Sequence, residues 1–197
     1  MLKKIINPLL YFSDKQLLLA AILMTVFGTA TSIFFNAKFD GCLDMHFAEN
    51  ITLLEAIKNL SIAIAILTTA LFITGRALNQ RTRFLDILLV VMIARCPLYI
   101  MSLLNINNYI FTKTEHLQEI MTQPTSNFFK IQNFILSEIP FLLLSTIASV
   151  MGLILMITSL YNGYKTATNL KTSQQVYIFG VAVFVAEIVS KIVFYIL

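Results

Sequence analysis

Five long apolar stretches occupy most of this chain, at about residues 17–35, 56–78, 84–105, 139–161 and 175–197. Each is near the roughly 20 residues that an α-helix needs to cross about 30 Å of hydrocarbon. In lipid every backbone N–H and C=O must find a partner within the protein, so runs of this kind are restricted to helices. The expected fold is therefore all-α, a polytopic membrane protein built as a bundle of five transmembrane helices. The charges fix its orientation. Lys3, Lys4, Lys15, Arg76, Arg81, Arg83, Lys165 and Lys171 fall in the first, third and fifth gaps, or at the edges of the spans that flank them. Asp40, Asp44, Glu49, Glu55, Glu115, Glu119 and Glu138 fall in the second and fourth. Basic residues collect on the cytoplasmic side of a membrane protein. This predicts a multi-pass protein of the cytoplasmic (inner) membrane, with its N-terminus in the cytoplasm and its C-terminus outside. Residues 79 and 168 are then inside, and 45 and 120 outside.

Composition agrees. Hydrophobic residues make up 58% of the chain and charged residues 12%, about half the charged share of a soluble domain. Five spans use more than half of the 197 residues, which leaves a single five-span domain and little else. The net charge of +4 does not point to nucleic acid, because the basic residues sit in topology-setting gaps and not on a soluble module with aromatics. The first partner is the lipid bilayer itself. The basic start at residues 1–4 precedes a run of spanning length with no Ala-x-Ala site after it, so the first span is expected to stay uncleaved.

Several local expectations follow. Residues 1–16 read as a cytoplasmic arm at headgroup level, with a turn or helix start at Asn7-Pro8. The short inner turn 79–83 makes the second and third spans antiparallel neighbours. Pro97 predicts a kink near residues 93–97. The longest outer loop covers 106–138, with a short helix over 128–136 lying on the interface. Pro140 falls in the first turn of the fourth span, where proline is tolerated. A polar inner loop covers 162–174. Ala182, Ala186 and Ser190, and Ala148 with Gly152, place small side chains along helix faces that can pack closely.

The charges inside the spans need explaining. Arg95 lies roughly 17 Å into the third span and Glu187 roughly 18 Å into the fifth, both counted from the same side. An unpaired charge at that depth costs about 2.5–3.5 kcal/mol on insertion scales. Mutual pairing of Arg95 with Glu187 is the simplest compensation, and Lys191, one turn beyond Glu187, can share its carboxylate. This intramembrane ion pair is either structural, fixing helix packing, or part of a proton or substrate path. Cys42 and Cys96 belong at different depths and read as unpaired. Asp40, Asp44 and His46 match no metal-site spacing. No nucleophile elbow, phosphate loop or HExxH is present, so no catalytic residue, metal or cofactor is expected and the chain does not read as an enzyme.

Three stretches carry a family resemblance: INPLLYFSDK before the first span, NAKFDGCLDMHF after it and SLYNGYKTATNLK leaving the fourth. With the five-span topology, they resemble the Yip domain family of membrane proteins, its bacterial members above all. Eukaryotic members bind Rab-type GTPases, and they have a longer cytoplasmic N-terminal region and a DLxGP-like stretch. This chain has neither, so the GTPase role is not carried over. For the bacterial members the resemblance implies a membrane protein of unsettled function and supplies no site residues. The expected function is a non-enzymatic membrane scaffold or adaptor, which meets a membrane or cytoplasmic protein through the arm 1–16 and the loops 76–83 and 162–174. The alternative is a small transporter or permeability component using Arg95 and Glu187.

Overall fold

The computed structural model describes residues 7–122 and 128–196; the basic start of the arm lies outside them. Helix α1 covers Asp14–Phe34. A two-residue hairpin follows, β1 Ala37–Lys38 against β2 His46–Phe47, with Ala37 opposite Phe47. Then come α2 Leu53–Leu78, α3 Phe84–Ala94, α4 Cys96–Met101, α5 Tyr109–Thr122, α6 Phe128–Thr168 and α7 Ser173–Ile196. Five stretches are long and apolar enough to cross a membrane: α1, α2, the run Phe84–Thr122, Ser137–Thr168 of α6, and α7. The protein is an all-α five-helix bundle.

Polar residues start the first two spans earlier than hydropathy places them. Ser13 and Gln16 form a reciprocal capping box at the start of α1, and Thr52 and Glu55 form another at α2. Each box satisfies backbone donors that the first helical turn leaves free. Helix α2 is central, packing on α7, α3, α1 and α6, and it buries Leu60, Leu67 and Leu71. As the short turn predicts, α2 and α3 are neighbours. Thr82 donates to the Gly75 carbonyl at 3.1 Å, and Asn79 donates to that of Thr168 at 3.2 Å. Gly75 has no room for a side chain, because a Cβ there would lie 2.9 Å from Thr168.

The helix break falls where proline predicts it. Helix α3 ends at Ala94, and α4 restarts at Cys96 with Pro97 in its first turn. A 3-10 turn, Ser102–Asn108, then leaves helical geometry at Asn105, Ile106 and Asn107 before α5 begins.

Two of the gaps between spans differ from expectation. Residues 128–136 are not a separate interfacial helix; they are the opening turns of the 41-residue α6. Pro140 therefore lies inside a helix and not in its first turn. Most of 106–122 is α5, not loop. The polar loop expected over 162–174 shrinks to 169–172, because the polar residues near the end of α6 bond back along their own helix. Asn162 donates to the Thr158 carbonyl, Thr166 to that of Asn162 and Thr168 to that of Tyr164, at 2.8, 3.0 and 2.7 Å. Polarity suggests a loop, but short polar side chains can be satisfied within a helix. The helix ends at Thr168, and Asn169 just beyond it adopts φ 55° in the left-handed region asparagine tolerates.

The described part of the arm is docked onto the bundle. Pro8–Leu10 form a 3-10 turn, Asn7 donates to Thr166 Oγ1 at 2.7 Å, and Leu9 packs against the core. Arg83 meets Asp14 at 3.2 Å.

Candidate functional site: an inserted loop held by buried charges

The segment between α1 and α2 dips into the bundle. Cys42 Sγ lies 3.6 Å from the Ala63 carbonyl oxygen and 3.5 Å from that of Ala186. Ala63 is ten residues into α2, and Ala186 is ten residues from the end of α7. At about 1.5 Å per residue, the loop tip sits about 15 Å below the ends of both helices, near half the thickness of the hydrocarbon core. Non-helical backbone at that depth survives only if protein groups satisfy it. The loop is buried: Ala37 and Cys42 are 0% exposed and Phe39 is 1%.

The intramembrane charges do that satisfying. Arg95, 0% exposed, sits at the break between α3 and α4, which aims its guanidinium at the loop. Its Nη1 donates to the Cys42 carbonyl at 2.6 Å, and both Nη atoms donate to that of Gly41, at 3.3 and 3.2 Å. From the other side Glu187 Oε2 accepts the Leu43 N–H at 2.8 Å, and Ser190 Oγ accepts the Cys42 N–H at 3.2 Å. The Cys42 carbonyl and the Leu43 N–H belong to one peptide group. Arg95 holds its oxygen and Glu187 its hydrogen, so a peptide dipole lies between a cation and an anion and is stabilised by both.

The direct Arg95–Glu187 ion pair expected from depth alone is thus replaced. Among the described residues no ion pair joins these side chains; the Cys42–Leu43 peptide bridges them. Lys191 does not share the Glu187 carboxylate either. It pairs with Asp44, and its Nζ lies 3.7 Å from Asp40 Oδ1. The reason is geometric: the helices supply the charges, but an interposed loop brings backbone partners closer than the opposite helix can.

Above this layer, Asp40 Oδ1 is 3.1 Å from His46 Nδ1, and Lys38 is 3.9 Å from Asp40 Oδ2. Burial alone would raise the Asp40 carboxyl. The His46 hydrogen bond and charge, with Lys191 and Lys38, outweigh it and hold the group below its ordinary range. Asp40, Asp44 and His46 are thereby engaged with each other's neighbours, and among the described residues no group of His, Cys, Asp and Glu forms a metal cluster. Cys42 and Cys96 are free thiols.

Close packing brackets the site. A Cβ on Gly41 would lie 2.7 Å from the Asp44 Cβ and 2.9 Å from Glu187 Oε1, so only glycine lets the carboxylate approach. Tyr99, one turn beyond Arg95, is fully buried and stands edge-on to Phe39 of the loop at 5.2 Å. The small stripe Ala182, Ala186 and Ser190 is buried on α7, which packs on α2, and the loop fits against its C-terminal end.

Residue-by-residue reading finds Arg95, Glu187 and Lys191 and places Ser190 on a packing stripe, but it misses Ser190 as a hydrogen-bond partner, the close approach at Gly41 and the 42–43 peptide. The available signal was Asp40-Gly41, a turn dipeptide in a segment with Phe39 and Leu43 beside it. A search of protein-family models, of curated proteins and of solved structures finds no match to this chain.

Proposed function

We propose that this protein is a non-enzymatic scaffold or adaptor of the cytoplasmic membrane, with the arm and the 79–83 and 169–172 turns on the cytoplasmic side. One observation carries the reading. Arg95, fully buried, spends its guanidinium on the carbonyls of Gly41 and Cys42, while Glu187 takes the neighbouring N–H. The charges that could have lined a path through the bundle instead hold a loop in place, which suits a fixed membrane body that presents surfaces to others. The resemblance to Yip domain proteins, in topology and in the three quoted stretches, supports the same reading. Its partner surface is the basic end of the bundle, where Lys15, Lys165 and Lys171 are exposed.

The test is co-purification in mild detergent from native membranes, comparing the wild type with a variant carrying Lys15→Gln, Lys165→Gln and Lys171→Gln. The expected result is a stoichiometric protein partner that the variant loses while it still assembles in the membrane. A protein that purifies alone in both forms would remove the scaffold reading and turn attention to transport, where Glu187→Gln abolishing a pH-dependent flux is the diagnostic.

A further inference from the structure

The end of the bundle that carries the 79–83 turn has a groove of about 610 Å³, lined by Phe72, Ile73, Arg76, Ala77 and Gln80. It lies on the side of α2 away from the junction with Thr168, Thr82 and Tyr164, which Gly75 occupies. Its apolar wall is exposed, with Ile73 at 63%. The Arg76 guanidinium carbon lies 5.9 Å from the centroid of the Phe72 ring, and Phe84 steadies that ring edge-on at 5.3 Å. Arg83, on the same turn, is compensated by Asp14 and Asp86. Arg76 has no carboxylate partner among the described residues.

We propose that this groove binds one anionic phospholipid, whose phosphate is held by Arg76 with the Gln80 amide and whose acyl chain lies along Phe72 and Ile73. Arg76 stands in the last turn of a membrane-spanning helix, the level at which hydrocarbon gives way to headgroups. A cation there, beside an apolar wall and without a protein counter-ion, is complementary to a ligand with a negative head and an apolar tail. Arginine suits the task because its planar fork meets two phosphate oxygens at once, and stacking on Phe72 holds that fork in one orientation. The negative end of the α2 dipole also keeps the side chain near the helix end.

Native mass spectrometry of the full chain in mild detergent tests this, with phosphatidylglycerol and phosphatidylcholine of identical acyl chains as probes. The wild type is expected to retain one phosphatidylglycerol in preference to phosphatidylcholine. Arg76→Gln should cut that retention about fivefold, the size of one interfacial arginine contact, and Arg76→Lys should fall between. Lys58→Gln, an exposed charge toward the opposite end of α2, should leave retention unchanged. Three results would overturn the proposal: equal retention of phosphatidylcholine, an equal loss in Lys58→Gln, or displacement of the lipid by millimolar inorganic phosphate, which would mark a site for a water-borne anion.

Discussion

Replacing Arg95 with leucine should release the loop between α1 and α2. The substitution fits an apolar span but leaves the carbonyls of Gly41 and Cys42 without donors and Glu187 without its balancing cation. Breaking a buried charged network by removing one partner costs about 3–5 kcal/mol, most of it from groups left behind unpaired. The readout is the Cys42 thiol, fully buried between α2 and α7. In a Cys96→Ser background, a membrane-impermeant maleimide should label Arg95→Leu quickly and the parent protein scarcely at all. Arg95→Lys should label at an intermediate rate, because an ammonium cannot fork onto two carbonyls as a guanidinium does. If Cys42 stays blocked in Arg95→Leu and the melting temperature in detergent is unchanged, Arg95 does not anchor the loop.

Gly28→Leu should fail to assemble, and even Gly28→Ala should be clearly destabilised. A Cβ at position 28 would lie 2.7 Å from two ring carbons of Tyr99 and 2.9 Å from a third. The ring cannot retreat, because it is fully buried between α1 and the edge of Phe39. Overpacking a filled core in this way costs about 1–3 kcal/mol for a single added group. Gly180 is the control: no atom lies within 4 Å of a Cβ built there. Gly180→Ala should be neutral, or stabilising by up to about 1 kcal/mol through helix propensity. Thermal unfolding in detergent separates the two sites. Combining Gly28→Ala with Tyr99→Leu should recover part of the loss; no recovery would show that the clash with Tyr99 is not the cause.

Both predictions concern the loop and its supports, where sequence reading was weakest. Hydropathy located the five spans, since membrane insertion is governed by properties summed along about 20 consecutive residues. Pro97 located the break in the third span for a similarly local reason: a missing N–H and a ring clash act on the adjacent turn. Residues 162–168 are helical despite their polarity: polarity by itself does not distinguish a loop from a helix whose asparagine and threonines bond to their own i−4 carbonyls.

From the sequence alone came the class of fold, the five spans and the prediction that Arg95, Glu187 and Lys191 need partners at depth. The sequence could not say which partners. A segment rich in Asp, Gly and His reads as solvated outer loop because its composition is polar, and nothing local signals that it turns inward. That is decided by the packing of α2, α3 and α7, which leaves a space beside Arg95 and Glu187 that loop backbone can enter. A peptide group carries a donor and an acceptor a fixed distance apart, so it can sit between guanidinium and carboxylate and satisfy both. The choice between a direct ion pair and a peptide-bridged one depends on contacts between residues 53 to 144 positions apart in the chain, and only the tertiary structure brings them together.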